Sequence, residues 1–108
     1  MDEREFMTAA DAELVRIEMA LDEASMRGVA DFDFETKPGG VIEIEFDNGS
    51  KIILNRHLAA REIWLAAKSG GYHFRPVGGR WLGTRDGEEL LVAVSRTLSE
   101  QAGVRIAL

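Results

Sequence analysis

The sequence contains no cysteine, and this absence excludes several kinds of chemistry at once. Disulfides, thiolate metal sites, iron–sulfur clusters ligated by the chain itself and thiol catalysis all require cysteine. No apolar run approaches the roughly 18 residues that a membrane span needs. The N-terminus is acidic and carries no charged-then-apolar leader. We therefore expect no membrane association, no organelle targeting and a cytoplasmic setting.

The usual catalytic patterns are also missing. The glycine pairs lie at expected hairpin turns rather than in a phosphate-binding loop, and no serine has the context of a nucleophile elbow. His57 and His73 lie apart in the sequence, and neither has a second His or Cys at ligand spacing. We interpret each histidine as a surface or partly buried polar residue. The sequence predicts a protein that is not an enzyme.

The charge that is present is distributed unevenly. The chain has 108 residues, enough for a single domain over 1–108, and a net charge of −6. Residues 1–36 contain eleven Asp and Glu against three Lys and Arg, whereas the remainder contains eight against ten. A nucleic-acid-binding protein would show the opposite sign. An acidic first third is suited to metal cations or to a basic protein partner.

The order of predicted elements is helix, five or six strands, helix. Apolar residues recur with helical spacing from about Asp2 to about Ser25. The Asp86–Glu89 segment has the form of a capping box before a second helix, which we expect to end at Gly103. Period-two alternation and turn residues predict strands at Ala30–Thr36, Val41–Phe46, Lys51–Asn55, Glu62–Ala67, Tyr72–Arg75 and Arg80–Leu82. The predicted fold class is α+β, a two-layer sandwich with both helices on one face of an antiparallel sheet.

The main candidate site is a group of carboxylates late in the first helix and on the strand that follows it. Carboxylate oxygens are hard ligands that suit Mg²⁺, Ca²⁺, Mn²⁺ and iron, and without His or Cys such a site would be open and weak. The alternative is the solvated face of an acidic protein, although like charges without basic neighbours repel one another. The candidate metal ligands are Glu18, Asp22, Glu23, Asp31, Asp33 and Glu35.

A second candidate site involves the middle of the sheet. Trp64 alternates with core-facing Ile63 and Leu65, so we expect its side chain on the open face, close to Asn55 and His57. An exposed tryptophan among polar residues favours a protein-binding patch. The alternative is a tryptophan covered by a loop or by the C-terminal tail.

Several segments together resemble the frataxin family, and the resemblance runs essentially from end to end. The most specific stretch is Asp47–Arg56, followed by Ile63–Ala66 and Gly70–Phe74. Trp81 and the Asp86-Gly87 pair follow in the same order. The family fold implied by this resemblance consists of two helices on one face of an antiparallel sheet.

The resemblance implies a bacterial protein of iron–sulfur cluster assembly. It implies weak binding of ferrous and ferric iron at the six carboxylates, which could also bind other divalent cations. It also implies docking on the cysteine desulfurase and its scaffold complex. Because iron and the partner would share the same carboxylates, we expect an iron-responsive regulator that stays monomeric at modest iron. The candidate partner-binding residues are Asp11, Asn55, His57 and Trp64.

An alternative function stays open at this point. The chain could instead be an iron donor or store with ferroxidase-like activity that oligomerises with metal, or an acidic domain whose open face binds an unrelated protein. Met7 and Met19 stand where family members often carry potential ligands, and thioether sulfur is a poor ligand for hard iron. His57 and Ala59 replace a usual amide and a usual proline, so the open-face contact differs in detail.

Overall fold

The computed structural model describes residues 1–28 and 30–108. Two helices flank six strands in the order of the chain, and the strands form one antiparallel sheet with the order β1-β2-β3-β4-β5-β6. The elements are α1 Glu3–Met26, β1 Phe32–Lys37, β2 Val41–Phe46, β3 Lys51–His57, β4 Glu62–Ala67, β5 Gly70–Val77, β6 Arg80–Gly83 and α2 Leu90–Ala102. The predicted fold class is confirmed: both helices pack on one face of a six-stranded antiparallel sheet.

One hydrophobic core lies between the helices and the sheet. Along each strand alternate residues point into it, so that Ile42 and Ile44 are buried while Glu45 is exposed. Helix α1 contributes a stripe of buried residues at intervals of three and four, and the ring of Phe6 meets that of Trp81 edge-on at 6.0 Å. Among the described residues no helix covers the opposite face of the sheet, which is the open face expected from the sequence.

Helix α1 begins with a reciprocal cap. The Asp2 carboxylate accepts a hydrogen bond from the Glu5 backbone N–H at 2.8 Å, and the Glu5 carboxylate accepts one from the Asp2 N–H at 3.2 Å. No helix among the described residues combines the length and apolar character needed to cross a membrane.

The predicted capping box of α2 is wrong. The helix begins at Leu90, with Glu89 at the N-cap position and no side-chain cap. Asp86 instead accepts a hydrogen bond from the Glu88 N–H at 3.0 Å, which closes a local turn, while Leu82 and Glu89 form a β-bridge. The bridge keeps the backbone of Glu89 extended at the start of the helix. Glu89 therefore does not occupy the third helical position, from which its side chain would complete a capping box. The predicted end at Gly103 is confirmed, with φ at 75°.

The C-terminal segment packs against the body of the protein, as predicted. Ile106 is buried, and its backbone N–H donates to Ser99 Oγ at 2.9 Å. Gln101 ties α2 to the β4–β5 turn and to the start of β3, because its Oε1 accepts from the Lys68 N–H and its Nε2 donates to the Lys51 carbonyl. These bonds fix the helical layer relative to the sheet.

Candidate functional site

The six candidate metal ligands lie on α1, on β1 and at Asp31 immediately before β1, and we refer to them together as the acidic edge (Glu18, Asp22, Glu23, Asp31, Asp33 and Glu35). Helical periodicity places the three α1 residues beside the buried stripe, with Glu18 half-buried and the other two exposed. Alternation along β1 buries Phe32 and leaves Asp31, Asp33 and Glu35 exposed on the open side.

The strand carboxylates line two depressions. Asp31 and Asp33 border an open cleft of about 540 Å³ next to the end of α1. Asp33 also borders a second depression together with Glu35. Glu18 lies in a third depression, beside Thr36 and Lys37. The structure therefore groups the β1 carboxylates with one another and places Glu18 nearer the far end of the strand.

Two acidic neighbours of the acidic edge were missed in the sequence. Glu45 pairs with Asp33 across β1 and β2, and Asp47 lines the same cleft as Asp31. The signal that could have found them is the hairpin register, because a turn over residues 38–40 places Glu45 opposite Asp33.

Basic side chains compensate only part of the acidic edge. Glu23 lies 3.6 Å from Arg27, and Lys37 lies 3.6 Å from Glu35, both at exposed positions where ion pairs contribute little. Within the described part of the chain, the other four carboxylates have no Lys or Arg nitrogen within 4.0 Å, and these are Glu18, Asp22, Asp31 and Asp33.

Glu43 lies on β2 next to the acidic edge, and two lysines compensate the charge of its carboxylate. Its carboxylate contacts Lys37 at 2.7 Å and Lys51 at 3.1 Å. The hydrogen bonds from the two ammonium groups lower the pKa of Glu43, and hydrogen bonding to Glu43 raises the pKa of both lysines. Glu43 is thus already paired, which distinguishes it from Asp33.

The acidic edge is not a chelating pocket. Across residues 1–28 and 30–108, no group of three or more His, Asp or Glu side chains is arranged to hold one metal ion. A cation at the edge would meet one or two carboxylates at a time and would keep water in its other positions. Binding of that kind would be weak and would leave each ion partly hydrated.

Trp64 lies on the open face of the sheet, as predicted. It is half-buried, while its neighbours Ile63 and Leu65 point into the core. Its indole ring stacks between two imidazoles, with ring centroids 3.8 Å from His57 at an interplanar angle of 12° and 4.4 Å from His73 at 7°. The faces of the ring are therefore covered by histidines and not by a loop or the C-terminal tail.

The two histidines are partly buried (His57) and exposed (His73), as interpreted, but the fold brings both rings onto Trp64. Register is the reason: β4 pairs Trp64 directly with His73 of β5, and β3 places His57 diagonally across from Trp64, opposite Glu62. Sequence separation hides this arrangement, because it depends on how three strands align. Asn55, the register partner of Trp64, donates its side-chain amide to the Arg56 carbonyl at 3.2 Å.

Beneath the stack lies a buried carboxylate that sequence reasoning missed. Glu62 is 5% exposed and accepts hydrogen bonds from Trp64 Nε1 and Arg75 Nε, each at 2.8 Å, with His73 Nδ1 at 3.4 Å. Burial opposes ionisation and is the largest effect on the Glu62 carboxyl, but the hydrogen bonds from Trp64 and Arg75, with the Arg75 charge, together lower its pKa below the ordinary value. Glu62 thus fixes the orientation of Trp64.

Asp11 lies apart from the other three candidate partner-binding residues. It forms an ion pair with Arg56, whose side chain crosses the β1–β2 turn, where a Cβ on Gly40 would lie 2.6 Å from Arg56 Cγ. The structure therefore brings Asn55, His57 and Trp64 together on the open face and places Asp11 on α1, tethered to the end of β3.

These features define a class: a two-layer α+β fold whose candidate binding groups lie on exposed surfaces. A family model described as a Frataxin-like domain matches residues 1–104, and the chain belongs to the frataxin-like family.

The relatives agree with this assignment. The chain is 51% identical over 108 residues to the iron–sulfur cluster assembly protein CyaY of Dechloromonas aromatica (strain RCB). The aligned region covers 100% of this chain and 99% of the relative. It is 47% identical over 110 residues to the protein of the same name from Janthinobacterium sp. (strain Marseille), covering 100% and 96%.

Solved structures show the same fold. A frataxin from Psychromonas ingrahamii, of the CyaY protein family, superposes with a TM-score of 0.86 at 29% identity, covering 99% of this chain and 97% of the other. The trimeric frataxin of the yeast Saccharomyces cerevisiae, solved in complex with ferrous iron, superposes with a TM-score of 0.74 at 24% identity, covering 88% and 86%. At that identity the yeast protein supports the shared fold alone.

Proposed function

We propose that this chain is an adaptor of bacterial cytoplasmic iron–sulfur cluster assembly that binds iron weakly at the acidic edge. The same edge docks on a basic surface of the cysteine desulfurase and its scaffold complex. The role is non-catalytic, in keeping with bacterial relatives that are named as assembly proteins. The observation that carries the proposal is that four carboxylates of the acidic edge have no Lys or Arg nitrogen within 4.0 Å among the described residues.

Repulsion between the unpaired carboxylates of the acidic edge explains why the edge would bind cations. A polyvalent cation placed between unpaired carboxylates relieves that repulsion, and its affinity falls with acid and with salt, since protonation and screening both remove charge. A basic protein surface gains from the same field, which speeds its encounter and orients it. Iron and the desulfurase therefore act on the same groups, and iron can regulate docking.

The test uses two double variants with the same change in charge. Asp31→Asn with Asp33→Asn removes two carboxylates from the cleft beside α1, whereas Glu3→Gln with Glu100→Gln removes two exposed carboxylates elsewhere. We expect the first pair to weaken desulfurase binding at low salt by roughly tenfold, equivalent to about 1.4 kcal/mol, and the second to leave it nearly unchanged.

Equal affinity of both variants and the unaltered chain would reject the electrostatic account. Iron titration separates the adaptor from an iron store. An adaptor stays monomeric at modest iron, and the amount of iron alters desulfurase turnover. Growth in particle size together with ferrous oxidation faster than in buffer would instead establish the store.

A further inference from the structure

Two methionines of helix α1 are unusually exposed. The Met19 residue is 67% exposed and Met26 is 78% exposed, although methionine is among the residue types most often buried. Met7, on the same helix, is partly buried and packs against the core. The thioethers of Met19 and Met26 are therefore accessible to small reagents in solvent, and the thioether of Met7 is less so.

The two exposed thioethers flank the carboxylates at the end of α1. Met19 precedes Asp22 and Glu23 by three and four residues, and Met26 follows them by four and three. Residues at these spacings are neighbours on a helix, with about 5–6 Å between their Cβ atoms. Long helical side chains lean toward the N-terminus, which directs Met26 over the turn that contains both carboxylates. Asp22 and Glu23 thus have an exposed thioether one turn away on either side.

Oxidation of these thioethers would change the ligands that the surface offers to a cation. Thioether sulfur is a poor ligand for hard cations, whereas a sulfoxide carries an oxygen atom of the kind that hard cations prefer. Hydrogen peroxide supplies that atom: the O–O bond breaks as the S–O bond forms, and the second oxygen leaves as water with both hydrogens. Sulfur loses two electrons and the peroxide gains them.

We propose that Met19 and Met26 are peroxide-sensitive modification sites that regulate cation binding at the acidic edge. Their conversion to sulfoxides places two oxygen donors beside Asp22 and Glu23, so that a cation meets more oxygen ligands there and binds more tightly. Sulfoxide reductases return the sulfoxide to the thioether, which makes the change reversible. The inference rests on the proposed function and deepens it, because iron binding then responds to oxidants.

The test begins with the metal-free full chain, treated with increasing hydrogen peroxide and analysed by peptide mass spectrometry. We expect Met19 and Met26 to gain one oxygen atom each at doses that leave Met7 unmodified. Mn²⁺ is then titrated into the reduced and the oxidised chain, with paramagnetic broadening of the Asp22 and Glu23 amide signals as the readout. We expect oxidation to tighten Mn²⁺ binding roughly threefold, because the number of oxygen ligands tunes affinity. Treatment with sulfoxide reductases should reverse this gain.

Two variants locate the effect. Met19→Leu with Met26→Leu should bind Mn²⁺ equally before and after peroxide, whereas Met7→Leu keeps both sites and should respond as the unaltered chain does. Met1 is 63% exposed and also accessible to peroxide, but it precedes the start of α1 and remains in both variants. A gain in the double variant equal to that of the unaltered chain would therefore overturn the inference.

Two further results would also overturn it: oxidation of Met7 as readily as of Met19 and Met26, and unchanged Mn²⁺ affinity after both exposed thioethers are fully oxidised. In the second case, binding by the reduced chain leaves the proposed function intact. A reduced chain without Mn²⁺ broadening at the acidic edge counts against the proposed function instead. The inference then stands if the oxidised chain shows the broadening and fails if it does not.

Discussion

At the scale of single residues, Glu62 is the most constrained ionisable group of the open face. It is a carboxylate buried under an indole, and it stays charged because Trp64, Arg75 and His73 surround it. A buried charge is tolerated only when it is paired and hydrogen-bonded. Removing that charge therefore tests whether the stack over it is a fixed structure.

We expect Glu62→Gln to lower the free energy of unfolding at pH 7 by about 1–3 kcal/mol, since hydrogen bonds to a charged group are lost. The folded-state pKa of Glu62 lies below the unfolded value, so its contribution is present above the unfolded pKa, about 4.3, and is lost as pH falls through the folded pKa. Urea unfolding of the Glu62→Gln variant and the unaltered chain, at pH 7 and at acid pH, measures the difference between their free energies of unfolding. This difference should shrink in acid.

Glu100→Gln serves as the control, because Glu100 is exposed and 3.4 Å from Arg96. A Glu62→Gln effect that is as small as that of the control at pH 7, or that grows as the pH falls, would contradict the structural role given to Glu62.

At the scale of elements, the sequence pattern correctly predicted those strands whose bounds depend on the alternation of neighbouring residues. The bounds of β2 and β4 agree with the alternation of apolar and polar residues at Val41–Phe46 and Glu62–Ala67. The start of α2 does not, because a turn at Asp86 and a bridge to β6 override a capping pattern that is legible in the sequence. The histidine stack could not be predicted either, because it depends on the register of three strands.

The β1–β2 turn offers a test at this scale. Gly39 and Gly40 both have positive φ, at 89° and 75°, but only a Cβ at Gly40 would meet a side chain, that of Arg56. We expect Gly39→Ala to lower the free energy of unfolding by about 1–2 kcal/mol, because alanine is strained in the left-handed backbone conformation. Gly40→Ala should cost about 1 kcal/mol more, because Arg56 must move away from Asp11. Urea unfolding of both variants measures the difference, and equal losses would contradict the described Arg56 position.

At the scale of the whole molecule, charge is distributed unevenly between the elements. Six of the eleven acidic residues in the first third belong to the acidic edge, next to a sheet whose later strands carry mostly basic groups. The pairing of individual charges was less predictable. Lys37 lies near Glu35 but makes its shorter contact with Glu43, a choice set by the β1–β2 register.

The most direct measurement is an anaerobic titration of the full chain with ferrous iron, followed by paramagnetic broadening of its amide NMR signals. We expect broadening confined to the second half of α1 and to β1, weakened by added salt. Asp31→Asn with Asp33→Asn should reduce the broadening, while Glu3→Gln with Glu100→Gln should not. Broadening centred elsewhere in the chain, or equal broadening in both double variants, would contradict the claim that uncompensated carboxylates of the acidic edge bind cations.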